Sequence, residues 1–386
     1  MGALYPVIES AVVHKSLFRI VVRLKPANAD GLVHPPTYDQ GGHIFRPAWI
    51  DGESREAVLL DSVQSQANRI ETALLMAMER GDIGYPDIRL NIRAGTGLEA
   101  YSVLELSHRV YDAALRMSRV DGVAFSESAI GKAIYAARAD LASALFEHAP
   151  ITLVLGGWDS HGGGGPLAAR MPRLITSEMV GLDAKPVTRA AVKFDPMDIR
   201  RDAGPIYESK QKDRRFETEK AKAAGRKVLK PSEIGLGSVP HMAARGAVIT
   251  EAVQTSVISC TAARRLRFEY PDGRFSPARD RAGRSAVVAL ALYGLLAQMD
   301  DGYCLRSGCD LIPVRNPELE VIGRTLEDID TYPIDVDSAL AALTVANEKA
   351  AQQRLRWRES PLLVEADERL VTLVERSRNA AMAGDN

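Results

Sequence analysis

The amino-acid sequence predicts an α+β fold built on a β-α-β-β-α-β unit, the ferredoxin-like arrangement that RNA-binding modules share with many other proteins. Three observations predict it. Side chains alternate early in the chain as in a strand, two strand-like segments follow one another near its middle, and a long apolar helix precedes the last strand. Because this skeleton hosts many functions, the fold class alone does not decide between them.

Length and composition restrict the class of protein. The chain has 386 residues, 46% of them hydrophobic, which is enough for a sizeable core in one elaborated domain or two. Its 26% of charged residues and formal net charge of −1 exclude a disordered chain and a general polycation. Any affinity for nucleic acid must therefore come from a local concentration of charge.

The cysteines and the N-terminus indicate the compartment. Cys260, Cys304 and Cys309 cannot all pair, and the N-terminus lacks the apolar core of a signal peptide. We therefore expect a cytoplasmic protein. The longest apolar run, 286–299, is too short to span a bilayer and is predicted to be a buried helix.

The first strand is predicted over Leu17–Leu24, where apolar residues point to one face at every second position. Arg19 and Arg23 share the other face and could reach phosphate, although a solvated strand face is the more common reason for such a pattern. The following residues, 26–52, are rich in proline, glycine, histidine and aspartate and are predicted to form a long loop.

A helix is predicted at about 61–80, because apolar residues recur there at helical spacing. Asp61 is the predicted N-cap, with Gln64 as its reciprocal partner. A solvated helix face usually carries Glu and Lys, whereas uncharged donors around one arginine suit a polyanionic backbone. Taken alone, this face permits both interpretations about equally. It consists of Gln64, Ser65, Gln66, Asn68 and Arg69.

The remaining elements follow from periodicity and from turn residues. They are helices near 101–118 and 128–148, a buried strand over Ile151–Leu155, strands at 173–183 and 187–194, a strand over Val248–Ser259, a short basic helix at 262–267, a buried helix at 285–299, a strand within 310–322, and two helices within 335–380.

A basic segment between Arg200 and Lys230 is the strongest electrostatic signal. It holds eleven basic and five acidic residues, a net charge of +6 within a chain of −1. Its apolar residues are too sparse for a core, so we expect an extended or partly ordered insertion. A charge run is usually just solvated, but this one lies between predicted strands, and contact with nucleic acid is the better interpretation.

Catalytic and metal motifs are poorly supported. Asp159-Ser160-His161 is not a nucleophilic triad, because a triad needs side chains that converge from separated positions. The glycines at 162–165 lack the spacing of known phosphate loops; a flexible loop is the default, and one close to a nucleic-acid backbone is second. Cys304 and Cys309 have no second pair, so neither a metal site nor a cofactor is expected.

The helix predicted near 101–118 places His108, Asp112 and Arg116 on one face, with Arg109 beside Asp112. A structural, salt-bridged face is the better interpretation of this pattern. Contact between Arg109 and RNA is the minority one.

Seven motifs, in order from about residue 58 to 312, resemble a known family. They are Leu60–Arg69, Leu106–Ala113, Gly156–Ser160, Arg173 through Glu178, Phe194–Pro196, Ile249–Thr255 and Leu305–Leu311. The sequence resembles the backbone (Cas-seven-type) subunit of the type I-G CRISPR Cascade effector complex, formerly subtype I-U, within the RAMP superfamily. The first and third motifs are the specific ones.

The resemblance implies a hand-shaped subunit with an RRM-like palm over 1–332. Helices would be inserted at about 100–148 and a basic thumb at about 195–248, and 333–386 would be a C-terminal helical extension. Such subunits stack head to tail along CRISPR RNA in a filament with other Cascade subunits, and the guide then pairs with target DNA for antiviral defence. Cutting is left to a separate nuclease, so no catalysis is expected from this chain.

The first hypothesis is therefore a non-catalytic RNA-binding subunit. The second is a metal-dependent endoribonuclease of the same superfamily, which would need Asp159 or Asp195. The third is a scaffold without nucleic acid. Contacts assigned to 162–165 and 210–230 depend on charge alone. The candidate RNA-binding residues are Lys15, Arg19, Arg23, Gln64, Ser65, Asn68, Arg69, Arg109, Trp158, Ser160, Arg173, Lys210, Lys212, Arg214, Arg215, Arg264 and Arg265.

Overall fold

A computed structural model describes most of the chain and reveals a mixed α+β fold with several sheets. The described residues are 4–38, 42–94, 97–159, 170–193, 195–200, 203–209, 216–219, 223–237 and 239–383.

The helices of these residues vary from single turns to more than six turns. They are α1 (Leu4–His14), α2 (Val63–Arg80), α3 (Ala113–Arg116), α4 (Ala129–Ala136), α5 (Ser143–His148), α6 (Ile151–Leu155), α7 (Cys260–Ala263), α8 (Pro277–Asp300), α9 (Val336–Gln352) and α10 (Glu368–Ala383), with 3₁₀ turns at Arg109–Tyr111, Phe125–Glu127 and Pro231–Ile234.

The strands are numbered in chain order. They are β1 (Leu17–Pro26), β2 (Leu32–Val33), β3 (Phe45–Ile50), β4 (Glu53–Asp61), β5 (Ile88–Ala94), β6 (Gly97–Ser102), β7 (Ser118–Val120), β8 (Val123–Ala124), β9 (Gly157–Trp158), β10 (Arg170–Met171), β11 (Ile175–Leu182), β12 (Lys185–Lys193), β13 (Ile206–Ser209), β14 (Phe216–Glu217), β15 (Ala223–Leu229), β16 (Val239–Val248), β17 (Glu251–Ser259), β18 (Tyr303–Arg306), β19 (Cys309–Pro313), β20 (Glu318–Ile322), β21 (Ile329–Pro333) and β22 (Leu362–Ala366).

The central sheet is antiparallel, in the order β18-β19-β1-β17-β11-β4-β3. Strand β20 pairs with the first residues of β1, on the same edge where β19 pairs with its last residues, and β21 pairs with β20. The predicted strand at Leu17–Leu24 is confirmed as part of β1. Phe18, Ile20, Val22 and Leu24 are buried on one face, which the helices cover. The strands predicted at 173–183 and 248–259 are confirmed as β11 and β17.

Helices α1, α2 and α9 pack around α8, which confirms the buried helix predicted at 285–299. By length and composition Pro277–Asp300 could cross a membrane, but 89% of its most apolar stretch is buried in the fold, as is usual for a core helix. Helix α2 approaches it closely at Gly294, where an added Cβ would lie 2.9 Å from the Ile70 side chain.

The hairpin of β3 and β4 shows that the long loop predicted over 26–52 is wrong beyond residue 44. Asp51 and Gly52 join the strands with φ angles of 55° and 81°, the backbone of a tight hairpin turn. Six apolar residues form a second, smaller core on the sheet face opposite the helices. They are Ala48, Ala57, Leu59, Val180, Leu182 and Val253.

A second sheet has the order β6-β5-β22-β7-β8, and its strand β22 comes from the C-terminal part of the chain. The two predicted C-terminal helices are confirmed as α9 and α10, but β22 between them was not predicted. Arg378 on α10 forms two hydrogen bonds to Glu99 on β6, which lower the pKa of that carboxyl to about 2. The C-terminal segment is thus joined to the body of the protein by backbone pairing and by charge.

Three predicted elements in the segment 101–155 also differ from the structure. The predicted strand Ile151–Leu155 is wrong: it is helix α6, since a five-residue apolar run fits a buried helix equally well. The helix predicted near 101–118 is reduced to a 3₁₀ turn and α3, because extended Asp112 separates them. Extended Ala137 likewise ends α4 and divides the helix predicted at 128–148.

The basic insertion leaves the body through a two-stranded stem. Strand β12, which confirms the strand predicted at 187–194, pairs antiparallel with β16, and β16 also pairs with β2. The described residues between them form a small sheet in the order β14-β13-β15. The basic helix predicted at 262–267 is a single turn, α7.

Candidate nucleic-acid interface

The N-terminus of α2 is capped by Ser62, whose Oγ accepts a hydrogen bond from the backbone N–H of Ser65 at 3.2 Å. The prediction of Asp61 as N-cap, with Gln64 as its partner, is wrong. Asp61 ends β4 and is fully buried beneath the helix, so its carboxylate accepts side-chain bonds instead. Ser65 Oγ donates to it at 2.7 Å and Arg69 Nε at 2.9 Å.

Two arginines share this one buried carboxylate. Besides Arg69, Arg306 donates to Asp61 through Nη2 at 3.4 Å. Arg69 is further fixed by a 2.6 Å bond from Nη2 to the Leu305 carbonyl. Both guanidinium groups remain partly exposed, so the cluster keeps one positive charge in excess at the surface. Sequence reasoning did not select Arg306, although it lies within the last motif of the resemblance.

The predicted amide face of α2 divides into an outer and an inner part. Gln64 and Asn68 are exposed, and Ser65 is half-buried. Gln66 is instead fully buried, where its Oε1 accepts bonds from Ser177 Oγ at 2.8 Å and Gln254 Nε2 at 2.7 Å. Gln66 therefore fixes α2 to the central sheet as an acceptor, and the amides of Gln64 and Asn68 face solvent.

Arg173 lies beside the first turn of α2, where its Nη1 donates to the Val63 carbonyl at 3.2 Å. Among the described residues it forms no ion pair with a carboxylate. Burial, and then the neighbouring charge of Arg109, lower the pKa of Arg173. An arginine held in this way beside a helix N-terminus is a favourable contact for a phosphate, because both carry uncompensated positive charge.

Arg109 is committed to an internal contact. Its Nε and Nη2 donate to the two carboxylate oxygens of Glu71 at 2.5 and 3.0 Å, and the side chains are only 11% and 7% exposed. The partner predicted for Arg109, Asp112, instead caps α3 by accepting from the N–H of Ala114. Burial raises the pKa of Glu71 against the opposing influence of Arg109. Arg109 is therefore an internal residue that stabilises α2 through Glu71.

The segment Gly156–Asp159 lies next to these arginines. Arg109 Nη1 donates to the Gly156 carbonyl at 3.3 Å, and Arg116 pairs with the buried carboxylate of Asp159. Trp158, which lies between Gly156 and Asp159 in the sequence, is 62% exposed. The glycines at 162–165 and Ser160 lie outside the described residues.

Five other basic residues of the predicted set lie in the described part of the chain, and none of them forms a hydrogen bond or ion pair with α2 there. Arg19 and Arg23 lie on the sheet face opposite α2, where Arg19 pairs with Glu320 at 2.5 Å and Arg23 with Glu251 at 2.9 Å. Lys15, just before β1, pairs with Asp328 and Asp330. Arg264 donates to the carbonyls of Val12 and Lys15, and Arg265 is exposed.

Four members of the predicted set, Lys210, Lys212, Arg214 and Arg215, lie outside the described residues. The two carboxylates considered for metal-dependent catalysis have internal partners. Asp159 is paired with Arg116, and Asp195 accepts from the backbone N–H groups of Met197 and Ile199 at 3.0 Å each. Within the described part of the chain, no group of three or more His, Cys, Asp and Glu residues could hold a metal ion.

Comparison with known protein families gives a match over part of the chain. Residues 18–186 match the family model of CRISPR-associated protein GSU0053 (Cas_GSU0053). The matched segment is less than half of the 386 residues, but it contains β1 from Phe18 onward, α2, Trp158 and Arg173. No curated protein matches the sequence.

One solved structure with a similar outline is the crystal structure of Csc2 from Thermofilum pendens. The similarity covers 100% of this chain and 97% of that chain, at 11% sequence identity and a TM-score of 0.36. A TM-score this low does not establish a common fold.

Proposed function

We propose that the chain is a Cas7-type subunit that binds CRISPR RNA in the backbone of a Cascade effector complex. The observation that carries the proposal is the match of residues 18–186 to a CRISPR-associated family, since this segment holds most of the candidate interface. The motif order supports the finer assignment to type I-G.

The geometry of the α2 N-terminus supports recognition of a sugar-phosphate backbone. The helix N-terminus, the exposed amides of Gln64 and Asn68, and the arginines Arg69, Arg173 and Arg306 lie on one surface. Such groups contact phosphate and ribose without reading the bases, which leaves sequence recognition to guide pairing with target DNA. The basic insertion adds a net charge of +6 beyond this surface and is the proposed thumb.

The strand order supports a ferredoxin-like palm. The four strands of the motif correspond, in chain order, to β1, β11, β17 and the β19–β20 pair. Across the sheet they lie in the order fourth, first, third and second, which is β19–β20, β1, β17 and β11. Helices α2 and α8 contact each other and the same sheet, as the two helices of that motif do. Copies of this palm would stack head to tail along the RNA in the cytoplasm, beside the other Cascade subunits.

We further propose that the chain does not cut nucleic acid. Catalysis with a metal ion needs a carboxylate that is open to substrate, but Asp159 and Asp195 are both engaged in internal bonds. The Arg116–Asp159 pair fixes the Trp158 segment, so its loss would affect structure first.

The experiment expresses the chain together with a CRISPR array and identifies the nucleic acid that copurifies. We expect an absorbance ratio at 260 and 280 nm typical of a nucleoprotein, and RNA derived from the array on sequencing. Complementary RNA added with magnesium should remain intact. Purification without nucleic acid would support the scaffold hypothesis. Regularly spaced cuts that disappear in Asp195→Asn, or in an Asp159→Ala variant that melts as wild type does, would establish the endoribonuclease.

A further inference from the structure

The side chain of Trp158 is 62% exposed, although Gly156 and Asp159 near it in the sequence are buried. A large apolar ring in water normally marks a contact surface, because burying it on a partner is favourable. Trp49 is even more exposed, at 74%, but it lies on the β3–β4 hairpin beside the acidic residues Asp51 and Glu53. The two tryptophans thus share exposure and differ in their surroundings.

Two glycines press the backbone before Trp158 against the core. Gly156 has a φ of +79°, and a Cβ there would lie 2.7 Å from the Met171 carbonyl oxygen. A Cβ on Gly157 would lie 2.7 Å from the Tyr111 ring. Strand β9 is then paired with β10, Trp158 opposite Arg170. The backbone on the N-terminal side of the indole is therefore fixed by close packing that excludes larger side chains.

The residue after Trp158 is fixed by charge. Asp159 is 2% exposed and pairs with Arg116, whose guanidinium lies 4.3 Å from the centre of the Tyr135 ring. The side chain of Asp159 is thus turned inward, and the indole, 62% of it exposed, projects from a preorganised backbone. Preorganisation of this kind lowers the entropy lost when a ligand binds.

The position of Trp158 indicates which ligand it meets. Gly156 packs against Arg173, where a Cβ would lie 3.1 Å from Arg173 Cγ, and Arg173 in turn bonds the first turn of α2. The exposed indole therefore lies next to the surface where phosphates are expected. A single-stranded nucleic acid held there by its backbone would place a base within reach of the ring.

Building on the proposed function, we propose that Trp158 is a stacking platform for one unpaired nucleobase of the bound RNA. Stacking uses the π-face that every base has, so the contact tolerates any sequence. Stacking complements the arginines, which bind phosphate whether or not the sugar carries a base. The site is thus a base-binding site beside a phosphate-binding one.

The test compares two single-stranded oligonucleotides with the same backbone, one with uracil bases and one abasic, by fluorescence anisotropy. Wild type should prefer the oligonucleotide with bases. Trp158→Ala should weaken its binding by roughly 5- to 150-fold and leave abasic binding and the salt dependence unchanged. Trp158→Tyr, which keeps an aromatic face, should retain most of the affinity, and Trp49→Ala should match wild type.

The outcomes separate this inference from the proposed function. If wild type binds neither oligonucleotide, the proposed function fails, and the stacking site with it. If wild type binds both equally, or Trp158→Ala weakens both equally, stacking at Trp158 is contradicted while RNA binding stands. If Trp158→Ala melts at a lower temperature than wild type, the Trp158→Tyr variant decides the question. Loss of the preference for bases in Trp158→Tyr would also contradict the proposal.

Discussion

Arg109→Ala is expected to lower the free energy of unfolding by about 3–5 kcal/mol at pH 7. The change removes both hydrogen bonds to Glu71 and leaves that buried carboxylate without its ion-pair partner. It also releases the Gly156 carbonyl, which Arg109 Nη1 holds. Urea unfolding followed by circular dichroism measures the loss.

The deficit of Arg109→Ala should depend on pH. Burial already raises the pKa of Glu71 above its ordinary value of 4.5, and loss of Arg109 removes the main influence that opposes the rise. A carboxyl whose folded-state pKa is raised contributes stability below its unfolded pKa and loses it as pH rises through the folded pKa. The deficit should therefore be largest at neutral pH and shrink as the pH falls toward 4.5.

Two further variants isolate the cause. Adding Glu71→Gln to Arg109→Ala should recover part of the loss, because a neutral amide costs less to bury than an unpaired carboxylate. Arg138→Ala removes an exposed pair with Asp140 and should change stability little. A loss of the same size in Arg138→Ala, or a deficit independent of pH, would show that the buried pair is not the reason.

Asp61→Ala should lower the free energy of unfolding by about 3–4 kcal/mol. The buried carboxylate accepts from Ser65, Gln66, Arg69 and Arg306, all of which lose their partner. Two arginines would then face each other without the charge between them. Amide hydrogen exchange should consequently accelerate in the first two turns of α2 more than in α8.

The matched control is Asp272→Ala, which removes an exposed aspartate paired with Arg274 and should leave unfolding and exchange as in wild type. A loss below about 1 kcal/mol in Asp61→Ala, or exchange that changes no more in α2 than elsewhere, would contradict the anchoring role of this carboxylate.

Local patterns were enough to predict the elements that position the interface. The alternation in β1 and the apolar stripe of α2 each reflect one buried face, and a buried face is visible in a short window of sequence. The β3–β4 hairpin was missed, although Asp51-Gly52 is a strong signal for a tight turn. The prolines and glycines around this turn predict a single loop and so conceal the hairpin.

Side-chain partners could not be predicted in the same way. Gln66 resembles the exposed donors beside it in sequence, yet it is buried because Ser177 and Gln254 lie opposite it on distant strands. Arg19 pairs with Glu320, which is 301 residues away. Such contacts depend on strand order, which no window of sequence contains. The RNA contacts predicted for these residues remain predictions.

The most direct test of an RNA-backbone surface at the α2 N-terminus is the salt dependence of binding to two unrelated single-stranded RNAs. Arg173→Ala should weaken both by about tenfold and reduce the slope of log K against log salt by about 0.7, the value for one phosphate contact on a single strand. Arg173→Lys should keep the slope, and Arg138→Ala should match wild type. A loss confined to one sequence, or an unchanged slope in Arg173→Ala, would contradict the account.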